Sequence, residues 1–168
     1  MTKKLIAIVT GGAGFIGSHM VDLLIDDNFQ VRVIDDLSGG HLNNLKRHQN
    51  NKDLVIENAD IRNIDTSHSV FKDCDFLFHF AGKGDIIPSI EHPTDYMSIN
   101  VLGTVQMLEG ARAANIKKFV YAASSSCYGL AKTPTAEDHR INPGYPYALS
   151  KYQGEMACLL YTSDAADE

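Results

Sequence analysis

Five short apolar runs recur along the chain, KLIAIVT at 4–10, QVRVID at 30–35, DLVIE at 53–57, DFLFHF at 75–80 and KKFVYAAS at 117–124. They are near-continuous rather than alternating, the pattern of parallel strands buried on both faces. Amphipathic stretches separate them and predict helices over 15–27, over a shorter piece at 65–71 and over a long piece at 93–114. In the long piece Tyr96, Ile99, Asn100, Gly103, Met107 and Gly110 recur at intervals of three and four. A last helix begins near Tyr147. Strand–helix alternation of this kind predicts an α/β fold, a doubly wound parallel sheet with right-handed crossovers. No internal repeat or low-complexity linker interrupts it.

The first strand runs directly into TGGAGFIGSH, where Gly11, Gly14 and Gly17 form a G-x-x-G-x-x-G pattern at a strand-to-helix junction. The first glycine permits a tight turn, the second lets backbone approach a pyrophosphate, and the third lets the helix pack closely on the sheet. The helix that follows directs its N–H groups and positive dipole end at the phosphates. An acid about 20 residues further on completes the dinucleotide signature. Asp35 closes the second strand and Asp36 adjoins it. A carboxylate there accepts hydrogen bonds from both adenosine ribose hydroxyls and repels a 2′-phosphate, which favours NAD over NADP. Asp60 and Ile61, just after the third strand, suit an adenine edge. Phe80, Ala81 and Gly82, after the fourth, suit backbone contact with the cofactor.

Candidate chemistry lies beyond the fifth strand, in ASSSCYG and YPYALSK. Tyr147 and Lys151 are i and i+4 and share one helix face. A tyrosine with the ordinary pKa of about 10 is a poor base at neutral pH. A nearby ammonium favours its phenolate. Lys151 can also hydrogen-bond a nicotinamide ribose, and a serine at the strand end can bind the substrate oxygen. On a bland reading Tyr-x-x-x-Lys is only a surface helix; the glycine turn and the serine-rich strand end argue against that.

Composition excludes more than it selects. A chain of 168 residues, 44% hydrophobic and 21% charged, fits one ordinary globular domain. The formal net charge of −6 and paired rather than clustered lysines, such as Lys117–Lys118, speak against nucleic-acid binding. No apolar run approaches the roughly 18 residues of a membrane span. The lysines and apolar stretch at the N-terminus are too short for a signal peptide. Cys74, Cys127 and Cys158 are widely spaced and suggest neither disulfides nor a metal site, consistent with a reducing cytoplasm. His41 and His48 read as surface residues.

With these residues in place, the chain resembles the extended short-chain dehydrogenase/reductase family, and within it the NAD-dependent nucleotide-sugar epimerases of the UDP-glucose/UDP-galactose type. The resemblance runs from residue 5 to about 157, through TGGAGFIGSH, the acids at 35–36, DIR at 60–62, HFAG at 79–82, NVLGT at 100–104, SSSCYG and YPYALSK. It implies a Rossmann domain that lacks the C-terminal substrate domain, a UDP-hexose substrate, no metal, and a homodimeric parent. Phe15 and Ile16 would meet the pyrophosphate through their backbone. Asn100 would anchor the cofactor or the active-site backbone. Ser124 would be the catalytic hydroxyl, with Ser125 the alternative and Ser126 a packing or turn residue. Tyr147 would take the proton of the sugar's 4-hydroxyl, and a 4-keto sugar would rotate before reduction on its other face. Cys127 stands where the family usually has valine, and the loop at 83–85 departs from common family sequences, leaving the sugar open. Three rival readings are weighed. A 4,6-dehydratase would need Thr-Asp-Glu where this chain has Ser124-Ser125-Ser126. A reductase or decarboxylase of the same fold would release reduced cofactor. A non-catalytic binding module characteristically loses the tyrosine or lysine.

The last eleven residues, CLLYTSDAADE at 158–168, can be encoded by the reverse complement of a transposase adapter used in preparing sequencing libraries. The expectation is a Rossmann segment at 1–157 joined to translated adapter, a fragment that binds NAD weakly and does not epimerise. Genomic DNA read past the codon for Ala157 is expected to diverge from CLLYTSDAADE; an uninterrupted match in unamplified DNA would refute the adapter origin.

Overall fold

Strand β1 (Ile6–Thr10) is buried at every position, as a central parallel strand covered on both faces must be. Its alternate residues feed two cores. Ile6 and Ile8 join Ile34, Phe71, Leu77 and Met107, while Ala7 and Val9 join Val21, Leu24, Val31 and Val33. The computed structural model describes residues 3–162, in two compact units: 3–81 with 106–122, and 82–105 with 123–162.

The first unit holds the whole sheet and helix α1 (Phe15–Asp26). Strands β2 (Gln30–Asp35), β3 (Leu54–Asn58), β4 (Phe76–His79) and β5 (Lys118–Tyr121) join β1 in the order β3-β2-β1-β4-β5, every pairing parallel. Register sets Thr10 opposite Ile34 on one side and His79 on the other. The strand order reverses between β1 and β4, the switch point beside which ligands of open α/β sheets bind.

The second unit is helical. Helices α2 (Ile86–Glu91) and α3 (Pro93–Met97), a π turn at Ser98–Leu102 and a 3₁₀ turn at Ser125–Tyr128 all pack on α5 (Pro146–Thr162). Helix α4 (Gly103–Ala113) follows the π turn.

Several expectations are corrected. The strand predicted at 53–57 is an edge strand, and its Val55 and Ile56 are exposed, not buried. The helix predicted at 65–71 is reduced to a 3₁₀ turn at Ser69–Phe71. Asp65 there accepts the N–H and hydroxyl of Ser67, a local bond that competes with helix. The helix predicted at 93–114 is two α-helices joined by the wider π turn, where the Thr104 hydroxyl donates to the Asn100 carbonyl at 2.7 Å. His48, read as a surface residue, is buried on the 3₁₀ turn Leu42–His48 with Nε2 2.7 Å from the Asp22 carboxylate; His41 is exposed. Cys158–Thr162 continues α5, which does not bear on the origin expected for residues 158–168, and residues 163–168 lie outside the described residues. No helix among the described residues is long and apolar enough to cross a membrane.

Helix α4 closes on the core at Gly110, where an added Cβ would stand 2.2 Å from Phe71 Cζ. Alanine improves helix propensity by about 1 kcal/mol, but overpacking a fixed ring costs about 1–3 kcal/mol. Gly110→Ala is therefore expected to lower the urea midpoint; a raised midpoint would mean that the buried ring yields freely.

Candidate functional site

In the first unit the chain turns at Gly11, whose φ is 66° and whose Cβ would meet Ala81 N at 2.7 Å, so only glycine fits. Gly17, in the first turn of α1, sits so close that a Cβ would overlap the Gly11 carbonyl oxygen. Gly14 caps α1 without a side chain, leaving the helix N-terminus to an external anion. Phe15 and Ile16 lie in that first turn with 79% and 61% of their surface exposed.

Asp35 ends β2 and is buried. Its Oδ2 accepts Ala13 N–H and its Oδ1 accepts Leu37 N–H, both at 2.9 Å. Each oxygen retains a second acceptor position for a hydroxyl. Asp36 is exposed and accepts the N–H and the hydroxyl of Ser38. Asp60 accepts Arg62 N–H at 2.9 Å and Arg62 Nε at 3.0 Å, and the guanidinium holds its carboxyl below the usual carboxylate range. Ile61 is committed to the core, so it could meet a base only through its main chain. The main chain of Phe80 and Ala81 is fixed to β1: Phe80 N–H donates to Thr10 O at 3.1 Å, and Ala81 N–H to Thr10 Oγ1 at 3.2 Å. Thr10 Oγ1 also lies 2.8 Å from Nδ1 of buried His79.

Asn100, Lys83, Ser150 and the Tyr147 carbonyl in the second unit are tied by one network. Asn100 Oδ1 accepts Lys83 N–H at 2.8 Å, while Nδ2 donates to Lys83 O at 3.0 Å and to Ser150 Oγ at 2.9 Å. Gly82 leaves room for that amide, since a Cβ there would lie 2.9 Å from Asn100 Oδ1. Ser150, fully buried, donates to the carbonyl of Tyr147 at 2.8 Å. The backbone beneath Tyr147 is thus held to the 83 peptide through two buried polar side chains.

Tyr147 Oη lies 3.5 Å from Ser124 Oγ, the outer limit of a hydrogen bond. Ser124 also caps the turn that follows it by accepting Ser126 N–H at 3.2 Å. Ser125 is exposed. Tyr145 stacks on the Tyr147 ring and Tyr96 meets it edge-on, with Tyr96 Oη donating to Gly84 O. Burial lowers the pKa of Lys151 to about 8, against a weaker upward pull from Cys158 and Glu155. No cluster of metal ligands occurs among the described residues.

Sequence reasoning overlooked Thr10, Gly40, Asn44 and Ser150. The signals were faint: a threonine closing β1, a glycine and an amide four apart in the polar run after Asp35, and a serine beside Lys151. Gly40 faces the Asp35 carboxylate, and Asn44 Nδ2 donates to Ala13 O at 2.8 Å.

The sequence and the fold are similar to those of known proteins. The chain is 39% identical over 158 residues to a UDP-glucose 4-epimerase of Mycolicibacterium smegmatis, covering 92% of this chain and 50% of that protein. It matches the structure of a UDP-N-acetylglucosamine 4-epimerase from Methanobrevibacter ruminantium in complex with UDP-N-acetylmuramic acid, with TM-score 0.89 and 35% identity over 95% of this chain and 51% of the other. It also matches DesIV, a dTDP-glucose 4,6-dehydratase from Streptomyces venezuelae with NAD bound, with TM-score 0.87 and 29% identity over 94% of this chain and 51% of the other. The chain therefore spans about half the length of the relatives it matches. The glycine turn with its acid, the serine-rich strand end and the Tyr–Lys helix all fall within residues 7–166, the span matched by the family model, and the chain belongs to the NAD dependent epimerase/dehydratase family.

Proposed function

We propose that the protein carrying this segment is an NAD-dependent nucleotide-sugar 4-epimerase acting on UDP-hexoses. The observation that carries this reading is the placement of Tyr147, Ser124 and Lys151 in one unit, with the Tyr147 hydroxyl facing the Ser124 hydroxyl at 3.5 Å. In the other unit the residues present fit NAD. Gly11, Gly14 and Gly17 leave a bare helix N-terminus for the pyrophosphate, and Asp35 keeps acceptor capacity for the ribose. Phe15, Ile16, Phe80 and Ala81 would offer main chain, Asp60 and Ile61 an adenine edge, and Asp36 a surface acid; Gly82, also proposed to offer main chain, belongs to the unit of Tyr147. When bound, NAD supplies reversible hydride acceptance at carbon 4 of the sugar.

The chain's own groups move the proton. Tyr147 Oη takes it from the 4-hydroxyl and returns it, while Ser124 Oγ hydrogen-bonds the same sugar oxygen and aligns it. Lys151, with a pKa of about 8, keeps most of its charge at neutral pH and favours the tyrosinate electrostatically. Asn100 and Ser150 hold the main chain on which Tyr147 is mounted. Likeness to DesIV supports a 4,6-dehydratase as a second reading. Ser124, Ser125 and Ser126 bring no carboxylate to the strand end, which favours epimerisation. Homodimerisation through the long helix and α5 is supported by the exposed apolar Leu102 and Met156.

Two outcomes follow. In the full-length protein, Tyr147→Phe is expected to slow UDP-galactose conversion by about 10²–10⁴-fold while NAD binding persists; unchanged turnover would remove Tyr147 from the chemistry. A ¹³C titration of lysine Cε is expected to show one resonance, from Lys151, with a midpoint of about 8 rather than the ordinary 10.5. Because the folded value lies below the unfolded one, burying the ammonium destabilises the fold fully below about 8, and that cost fades as pH rises toward 10.5. A midpoint at the ordinary value would show a solvated amine.

A further inference from the structure

The loop that leaves β2 closes back on the glycine turn through a ring of bonds. Asp35 Oδ2 accepts Ala13 N–H at 2.9 Å. The carbonyl of the same alanine accepts His41 N–H at 2.9 Å and Asn44 Nδ2 at 2.8 Å. Both sides of Ala13 are thereby clamped, one by the acid and one by the loop. Asp35 Oδ1 accepts the N–H of Leu37, which has a φ of 60°, a left-handed conformation a leucine adopts only when its surroundings impose it. Gly40 then folds over the carboxylate. A Cβ on it would stand 2.7 Å from Oδ1, 2.9 Å from Oδ2 and 2.9 Å from the Ala13 methyl. A Cβ on Gly39, one residue earlier, would meet nothing within 4 Å.

We propose that Gly40 and Asn44 are positioning residues that set the choice between NAD and NADP, by denying the Asp35 carboxylate any other place to go. The inference rests on the reading of Asp35 as the ribose ligand. A carboxylate discriminates against a 2′-phosphate by like-charge repulsion only if it cannot turn aside. An aspartate on an open loop can rotate away and admit the phosphate. Here two backbone donors hold its oxygens, and Gly40 closes the space into which it would swing. Asn44 keeps the loop, and with it Gly40, against Ala13. A methyl at position 40 cannot be accommodated without displacing the carboxylate, because the Ala13 side and the two N–H donors leave no slack.

The test is the ratio of Kd values for NADP⁺ and NAD⁺, measured by calorimetry on the full-length protein, with the ligand-free thermal midpoint recorded for each variant. The ratio matters because general loosening weakens both dinucleotides alike. Gly40→Ala is expected to lower the ratio about tenfold, the loss of one charge-assisted hydrogen bond. Asn44→Ala is expected to lower it in the same direction, and Gly39→Ala to leave it within about twofold, a shift worth little free energy. Asp35→Ala is expected to abolish the preference. If Asp35→Ala abolishes it but Gly40→Ala and Asn44→Ala change only affinity or the thermal midpoint, the two residues are structural and the inference is overturned while the ribose reading stands. If Asp35→Ala leaves the preference intact, or the unmodified full-length protein binds neither dinucleotide, the ribose reading itself fails and takes the inference with it. Should Gly40→Ala not fold, Asn44→Ala decides the matter alone.

Discussion

The main-chain ladder around β1 is the constraint on which the rest depends. Its hydrogen bonds run to β2 on one side and β4 on the other, and no position along it is exposed. A strand so enclosed carries no chemistry along its length, so polar function starts where it stops. Thr10 is the first polar residue, and its hydroxyl takes up Ala81 N–H and approaches His79. Gly11 follows and turns the chain while the ends of β2 and β4 stand level with it. That common end is where Asp35, Phe80 and Ala81 are delivered. Parallel register therefore assembles the proposed dinucleotide cradle from segments far apart in sequence.

The helical unit solves a different problem with buried polar side chains. Tyr147 and Lys151 ride on the start of α5, where a helix alone would leave its first turn loosely held. Ser150 and Asn100, both buried, convert that turn into part of a hydrogen-bonded network reaching Lys83. Full satisfaction matters, since an unpaired buried amide or hydroxyl costs about 1–3 kcal/mol, and among the described residues no buried side-chain polar atom lacks a partner. The π turn at Ser98–Leu102 contains Asn100, so the departure from regular helix coincides with the residue whose side chain serves two segments.

Much of this was legible beforehand. Fold class, the glycine turn, the place of Asp35 at the end of β2 and that of Tyr147 and Lys151 on one helix follow from local pattern, because burial on both faces demands continuous apolar runs and a tight turn demands glycine. Errors clustered where a neighbour decides. Val55 and Ile56 have strand composition whether their strand is central or at an edge. His48 looks polar in any list of residues, yet the Asp22 carboxylate satisfies it within the core. The stretch at 65–71 has helical spacing, but the Asp65 side chain captures the backbone first.

Local chemistry in the sequence determined which residue types occur at the strand ends and helix starts: glycines, an acid, serines, a tyrosine and a lysine. Tertiary structure alone decided what each faces. It half-buried Lys151 and so drew its pKa to about 8, put Ser124 rather than Ser125 opposite Tyr147, and pressed Gly40 onto Asp35. The reason is that spacing along a chain specifies a face of one element, whereas desolvation, close approach and shared hydrogen bonds belong to pairs of elements and exist only once those elements have packed.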